Sequence, residues 1–332
     1  MIHTEKEKTG FFDRIQQITE AYLTHRARVS RIKKEKQKKK NPLQDWGEAF
    51  IWAACVVLLI NQYFFQAYQI PSGSMIDTLL IGDRIFVNKM VYGPEILPGV
   101  GKISSPIKPQ RNDVIIFENP NYRSRGTAFD VAQRILYMLT LSLVDIDKDE
   151  NGNPKAHFLI KRAVGMPGDR FFNKNGNMYI QFAGEDRIVA ETDYNAARKW
   201  NHNLTRLAPP ESYPELEAAS KAMEYFYLNL TPSEGLLDEA RKFSSVPVED
   251  SITSETIRLE LDRAAFPHEG RISIDYSKRV LGRYVPEGRI LPLGDNRDRS
   301  LDGRYFGPVR ISKVLGKGAF KYWPLNRMGL IK

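Results

Sequence analysis

The stretch QIPSGSMIDTL, residues 69–79, decides how the rest of this chain is arranged. It begins where a long apolar run without charged residues ends, and it places Ser72 and Ser74 on either side of one glycine. Proline, serine and glycine together usually mark an ordinary turn. These two serines, however, follow the apolar run directly, and this position indicates a functional role in addition to a turn.

The apolar run covers the 20 residues Ala49–Tyr68. As a helix it would be about 30 Å long, which is the thickness of the hydrocarbon core of a bilayer. The apolar part of a cleaved signal peptide is shorter, about 7 to 15 residues. Trp52 lies near the first end and Tyr68 near the second, as expected for aromatic residues at membrane interfaces. We therefore predict one transmembrane helix within residues 46–68.

Basic residues are concentrated on one side of this helix. Residues 1–45 hold 12 Lys and Arg against 6 Asp and Glu, so +6 of the formal net charge of +9 precedes the apolar run. This asymmetry is typical of a cytoplasmic flank. We expect no nucleic-acid binding, and we predict that everything after residue 68 lies outside the cytoplasm. Cys55, the only cysteine, lies inside the apolar run, so an intrachain disulfide is excluded.

A second apolar run, ILYMLTLSLV, covers residues 135–144. Ten residues are too few for a spanning helix. We predict a core element here, with a helix at the membrane interface as the alternative.

Two segments have the composition of strands. They are NDVIIFENP, residues 112–120, and HFLIKRAVGMPGD, residues 157–169. Lys161 lies inside the second segment. A lysine in an apolar strand is usually an edge residue or one whose amine reaches solvent. A buried amine, in contrast, has a lowered pKa and can act as a neutral base near pH 7. The residues alone leave both interpretations open.

Two further regions follow. Residues 173–270 are rich in helix formers and read as an insertion, in which TPSEGLLDEARKF predicts a helix capped by Thr231. We expect nothing in this insertion to arrange acid, base or metal chemistry. The segment RILPLGDNRDRSLDGRYFGPV, residues 289–309, alternates Asp and Arg. Because the arginines would repel a cation, we predict an ion-paired scaffold that fixes a neighbouring group.

Three of these segments together resemble one family. IPSGSM with TLLIGD, LIKRAVGMPGD and LGDNRDRSLDGR are similar to the motifs of type I signal peptidases, also called leader peptidases, in that family's order and with its membrane anchor. NDVIIF resembles a fourth motif. The resemblance implies a mainly β protein with an antiparallel β catalytic core, one N-terminal transmembrane helix and a helix-rich insertion. The implied regions are 1–45 (cytoplasmic and basic), 46–68 (transmembrane), 69–172 (first part of the core), 173–270 (insertion) and 271–332 (second part of the core).

The resemblance also assigns roles by position. It implies that Ser74 is the nucleophile and Lys161 its general base, with Ser72 and the backbone N–H of Ser74 as the oxyanion hole. Support for this dyad is implied at Ser300, which would hydrogen-bond the lysine amine, and at the ion pair Asp302 and Arg304. Shallow apolar pockets for small substrate residues are implied at Ile70, Pro71, Ile116 and Ile160. Neither a metal nor a cofactor is implied.

The activity implied is that of signal peptidase I, the endoproteolytic removal of signal peptides from exported preproteins at the outer face of the bacterial cytoplasmic membrane. Preproteins and the lipid bilayer are the expected partners, and contact with the secretion machinery is compatible with this activity. Two alternatives stay open: a Ser/Lys membrane protease dedicated to one surface or pilin-like substrate, and a non-catalytic membrane scaffold. The sequence departs from the family twice, with Asp77 in place of a usual proline and Gly303 in place of a common serine.

Overall fold

A computed structural model of the chain describes residues 11–38, 42–97, 100–150, 152, 155–200, 202–206, 209–243 and 250–331. The chain divides into two units, Met1–Val57 and Leu58–Lys332. The first unit contains helix α1, Phe11–Lys38, and most of helix α2, Pro42–Tyr63. Within the described residues, α2 is the helix that is long and apolar enough to cross a membrane.

Helix α2 ends five positions earlier than the sequence predicts, at Tyr63 instead of Tyr68. The polar residues at its end explain why. The side-chain amide of Gln62 is buried and donates to the carbonyl of Glu95 over 2.9 Å, and the Tyr63 hydroxyl donates to the carbonyl of Ile96 over 2.8 Å. These bonds, all within the second unit, hold the end of the helix against residues 95 and 96, and residues 65–69 form a strand instead of a further helical turn.

The second unit is built mainly from antiparallel strands. In chain order they are β1 (Phe65–Gln69), β2 (Arg84–Asn88), β3 (Glu95–Leu97), β4 (Val100–Lys102), β5 (Val114–Glu118), β6 (Phe158–Gly165), β7 (Arg170–Lys174), β8 (Asn177–Gln181), β9 (Ile188–Ala190), β10 (Arg283–Tyr284), β11 (Arg289–Leu293), β12 (Val309–Arg310), β13 (Val314–Trp323) and β14 (Gly329–Leu330). The large sheet has the order β1-β2-β13-β5-β6-β11-β12, with β14 paired to β13. A smaller sheet has the order β10-β7-β8-β9, and β3 pairs with β4. The predicted mainly β, antiparallel fold class is confirmed.

The central strand β5 is covered on both faces, which explains its unbroken apolar sequence. Ile115 and Phe117 pack into one apolar cluster and Ile116 into another, and all three side chains are fully buried. Alternate residues of a strand point to opposite faces, so each cluster lies on one side of the sheet. Strand β6 pairs with β5 and places Lys161 opposite Ile115. Lys161 is therefore held in the middle of the sheet.

The remaining helices lie mostly between β9 and β10. They are α3 (Thr127–Leu139), α4 (Glu191–Ala197), α5 (Tyr213–Tyr227), α6 (Glu234–Lys242), α7 (Ser251–Ala265), α8 (Gly270–Val280) and α9 (Gly303–Phe306). The region predicted as an insertion thus contains α4 to α7, and α8 begins at its last residue. The predicted cap of α6 is wrong by two positions. Ser233, and not Thr231, is the N-cap, and its hydroxyl accepts from the N–H of Leu236 over 3.3 Å.

The apolar run of residues 135–144 is only partly a core element. Its first half forms the end of α3, where Met138 is buried and Tyr137 packs against the cluster that contains Ile116. Its second half is a turn, and Leu141 and Leu143 are exposed. The prediction of a core element is therefore wrong for the second half, because the helix ends at Leu139 and the apolar side chains of the following turn are exposed.

Candidate active site

Ser74 lies in a single 3₁₀ turn, Gly73–Met75, that follows β1. The next side chain, Met75, is buried in the same apolar cluster as Ile70 and Leu79. Apolar residues on both sides thus anchor this turn on the sheet. Ser74 itself is 7% exposed, so its hydroxyl lies at the edge of the core.

The amine of Lys161 meets this hydroxyl. Lys161 Nζ lies 2.6 Å from Ser74 Oγ, within hydrogen-bond distance, although 87 positions separate the two residues in the sequence. The contact expected between these two side chains is present. Lys161 is 3% exposed, and of the two interpretations of a lysine in an apolar strand, the structure shows the buried amine.

Burial changes the acidity of this amine. The pKa of Lys161 is lowered from its ordinary 10.5 to about 8, chiefly by loss of hydration. The carboxylates of Asp302 and Asp295 oppose this shift, and the charge of Arg304 adds to it. Asp77, which stands in place of the family's usual proline, is exposed, and the charges that shift the pKa of Lys161 are those of Asp302, Asp295 and Arg304. A substantial fraction of Lys161 is therefore neutral at mildly alkaline pH.

Ser300 lies beside Ser74, but without the hydrogen bond that the sequence predicts. Its buried hydroxyl has no hydrogen-bond partner among the described residues, so the expected bond to the Lys161 amine is not formed. The position is crowded nevertheless. A Cβ atom added to Gly294 would lie 2.1 Å from Ser300 Oγ and 2.5 Å from the carbonyl oxygen of Ser74. Gly294 is thus the residue that allows Ser300 and the Ser74 turn to approach each other.

The predicted ion pair of Asp302 and Arg304 is present and buried. Arg304 Nε donates to Asp302 Oδ1 over 2.9 Å, and Asp302 Oδ2 accepts from the N–H of Gly294 over 2.9 Å. Burial alone would raise the pKa of Asp302, but the charge of Arg304 and these hydrogen bonds together hold it below its usual value. The pair therefore stays charged and holds Gly294 in place.

A second ion pair was expected only in general terms, as a scaffold, and its partners were not foreseen. Arg162 follows Lys161 in the sequence, and its side chain is buried. Its Nε and Nη2 donate to the two carboxylate oxygens of Asp295 over 2.9 and 2.7 Å. Thr78 Oγ1 donates to Asp295 over 2.6 Å. The signal in the sequence was an arginine inside an apolar strand, since a buried charge requires a partner.

Asn296 is a further site residue that the sequence analysis missed. Its backbone N–H donates to the carbonyl of Ser74 over 3.1 Å, and its side-chain amide donates to the carbonyl of Gly73 over 3.0 Å. The turn that carries Ser74 is therefore hydrogen-bonded directly to the segment GDNRD, residues 294–298. Asn is also an ordinary turn residue, so nothing in the sequence distinguished this role.

The other predicted site residues lie close to the dyad. Ser72 is exposed, and its Oγ lies 3.4 Å from Ser74 Oγ. Ile70, Ile116 and Ile160 come together in one apolar cluster, in which Ile160 stays partly accessible, and Pro71 is exposed beside them. Among the described residues, no group of three or more His, Cys, Asp or Glu side chains is arranged to hold a metal ion.

Comparison with known proteins identifies the family of the chain. Residues 43–323 match the family described as Signal peptidase, peptidase S26. The chain belongs to this family. The peptidase S26 match covers nearly all of the described chain, including both segments of the dyad, and identifies the chain as a serine endopeptidase.

Individual members of the signal peptidase family show the same similarity. The chain is 29% identical over 301 residues to Signal peptidase I of Haemophilus influenzae, which covers 89% of this chain and 75% of that protein. It is 25% identical over 319 residues to Signal peptidase I of Pseudomonas fluorescens, covering 90% and 82%. With Signal peptidase I of Aquifex aeolicus it shares 25% identity over 272 residues, covering 80% and 79%. Removal of signal peptides is therefore the reaction that the geometry of the site has to explain.

Proposed function

We propose that this chain removes signal peptides from exported preproteins with Ser74 as the nucleophile and Lys161 as the general base. The observation that carries the proposal is the distance of 2.6 Å between Lys161 Nζ and Ser74 Oγ in a buried setting. A serine hydroxyl is a weak nucleophile until a neighbouring base takes its proton. The lowered pKa of Lys161 supplies a neutral amine at the right place.

The reaction runs in two halves. In the first, Lys161 takes the proton of Ser74 as Oγ attacks the carbonyl carbon of the scissile peptide bond, and then gives that proton to the departing amine of the mature protein. In the second, Lys161 takes a proton from water as the water oxygen attacks the acyl-enzyme ester. It gives that proton to Ser74 Oγ as the ester bond breaks, which releases the signal peptide and restores the serine hydroxyl and the neutral amine. The backbone N–H of Ser74 and the hydroxyl of Ser72 are proposed to stabilise the oxyanion. Loss of one such donor typically costs about 2.7 to 4 kcal/mol.

Substrate selection is proposed to depend on the apolar surface next to the dyad. Ile70, Pro71, Ile116 and Ile160 line it, and Ile116 is fully buried, so it can contribute only to the floor of a shallow pocket. A shallow apolar pocket accepts small side chains and excludes large ones by steric overlap. This agrees with a cleavage site of small residues such as Ala-X-Ala.

We further propose that α2 anchors the chain in the bacterial cytoplasmic membrane with the N-terminus in the cytoplasm. The 22 residues of α2 are enough for about 33 Å at 1.5 Å per residue, and the excess of basic residues precedes it. Ser74 follows Tyr63 by 11 positions, which limits its distance from the end of the helix to about 40 Å. Exported preproteins present their cleavage sites on the same outer surface.

The test is cleavage of a panel of preproteins by the purified full-length chain in detergent micelles. We expect Ser74→Ala and Lys161→Met to lose cleavage, the second by at least about 100-fold, since a general base typically contributes 10² to 10⁴-fold. Lys89 provides a matched control. It is equally buried, burial lowers its pKa to about 8, and it hydrogen-bonds Gln66 instead of a serine. Lys89→Met should therefore keep the activity.

The panel also separates the alternatives. Full activity of Ser74→Ala or of Lys161→Met would overturn the assignment of the dyad. Cleavage of a single surface or pilin-like precursor would favour a dedicated protease, and no cleavage of any precursor by the wild type would favour a membrane scaffold.

A further inference from the structure

A segment of the insertion lies directly against residues 294–298, the loop whose Asn296 is hydrogen-bonded to the Ser74 turn. The N–H of Thr205 donates to the carbonyl of Asp295 over 2.9 Å, and the carbonyl of Thr205 accepts from the N–H of Arg297 over 3.0 Å. These two bonds form a short parallel bridge between Thr205 and Asn296. Asn296 in turn donates to the carbonyl of Ser74. The insertion, which was expected to arrange no acid, base or metal chemistry, thus adjoins the site.

The side chain of Thr205 reaches the nucleophile turn itself. Its hydroxyl Oγ1 donates to the carbonyl of Ile76 over 3.2 Å. Ile76 is two positions after Ser74 and caps the 3₁₀ turn that carries it. Thr205 therefore contacts residues 295 and 297 through its backbone and the Ser74 turn through its hydroxyl. Together with the bond from Asn296 to Ser74, these contacts complete a ring of hydrogen bonds around Ser74.

Two ion pairs hold the insertion on the same loop. Arg297 Nη2 donates to Glu191 Oε1 over 2.7 Å, with both side chains buried, and Arg206 Nε donates to Asp298 Oδ1 over 3.0 Å. Arg206 is the neighbour of Thr205 in the sequence. With an anchor adjacent to it, the hydroxyl of Thr205 has little freedom to move relative to the loop. Ion pairs of this kind keep the neighbouring hydroxyl in a fixed position, in addition to stabilising the fold.

We propose that Thr205 is a positioning residue for Ser74. Its hydroxyl, held in place by the insertion, fixes the carbonyl of Ile76 and so maintains the approach of Ser74 Oγ to Lys161 Nζ. The inference rests on the proposed roles of Ser74 and Lys161. It gives the insertion a function within the reaction, since a displacement of about 1 Å at a reacting group can cost about 100-fold in rate.

The test compares Thr205→Val, which removes the hydroxyl and keeps the branched shape, with Thr205→Ser, which keeps the hydroxyl. We expect Thr205→Val to lower kcat for preprotein cleavage about 3- to 10-fold, the range of one net hydrogen bond, and to leave KM within twofold. Thr205→Ser should restore kcat. Thr256→Val is the matched control, because Thr256 is in the same insertion and its hydroxyl also donates to a backbone carbonyl, that of Ile252, over 2.8 Å.

A second measurement follows the nucleophile directly. A peptide nitrophenyl ester with alanine at the ester carbonyl should give a burst of nitrophenol as Ser74 is acylated, and Thr205→Val should slow the burst by the same factor as kcat. Unchanged kcat and burst rate in Thr205→Val overturn the inference, as does equal impairment of Thr205→Ser. A loss that follows only the folded fraction, measured by thermal unfolding, also overturns it. Absence of any burst and any cleavage in the wild type overturns the proposed function, and this inference with it.

Discussion

The acidity of one buried amine should determine how the activity depends on pH. Burial lowers the pKa of Lys161 to about 8, so about one molecule in ten has a neutral amine at pH 7 and about nine in ten at pH 9. An ordinary lysine with a pKa of 10.5 would be neutral in only about 0.03% of molecules at pH 7. Since only the neutral amine can accept the proton of Ser74, the rate should follow the neutral fraction. We expect kcat/KM to rise about tenfold between pH 7 and pH 9 and to level off above that.

The measurement is the initial rate of preprotein cleavage by the full-length chain in detergent micelles, at substrate concentrations far below KM. Under these conditions the pH profile of kcat/KM reports the groups of the free enzyme. The control is Lys89→Met, which removes the other buried lysine and should leave the midpoint near pH 8. A profile that is flat from pH 6 to 9, or one that still rises at pH 10 with the slope of an ordinary lysine, would refute the link between burial of Lys161 and catalysis.

Two further predictions concern the residues around the dyad. Arg162→Met leaves the buried carboxylate of Asp295 without its partner, which typically costs about 3 to 5 kcal/mol. Tm in micelles should fall by at least about 6 °C, and an unchanged Tm would contradict the prediction. The deficit should shrink as the pH falls, and the decrease should begin above pH 3.8, the ordinary pKa of an aspartate, because burial without Arg162 raises the pKa of Asp295. Gly294→Ala should abolish preprotein cleavage because its methyl group would overlap the carbonyl of Ser74. Gly235→Ala, in a helix with open space around it, should remain active, and equal activity of both would contradict the crowding.

The contact between Ser74 and Lys161 could be predicted from the sequence because each residue lies in a distinctive motif. A serine placed after an apolar run and a lysine inside an apolar strand are unusual separately, and the family resemblance joined them. The mainly β fold was implied by the same family resemblance, and the two apolar segments at residues 112–120 and 157–169 had the composition of strands. Burial of the amine could only be proposed, since a lysine in a strand is compatible with either an edge or a core position.

Other features depend on tertiary partners that no local pattern specifies. Helix α2 ends at Tyr63 because the side-chain amide of Gln62 donates a hydrogen bond to the carbonyl of Glu95, which is 33 positions away. Without that partner, the apolar residues up to Tyr68 continue a helix equally well. Thr205 is likewise an ordinary residue in sequence, and only the fold places it between the Ser74 turn and residues 294–298. Long-range bonds from neutral polar side chains are what sequence reasoning could not supply here.

The charges around Lys161 show why the site needs both of its ion pairs. A buried lysine becomes a base only if burial outweighs every nearby carboxylate, because a negative charge stabilises the protonated amine. Asp302 and Asp295 both act on Lys161 in that unfavourable direction. Each of them is bound by an arginine, Arg304 and Arg162, within 3 Å. The two carboxylates can therefore hold Gly294 and Thr78 in place while the pKa of Lys161 stays near 8 instead of its ordinary 10.5, which allows one rigid scaffold to coexist with a partly neutral amine.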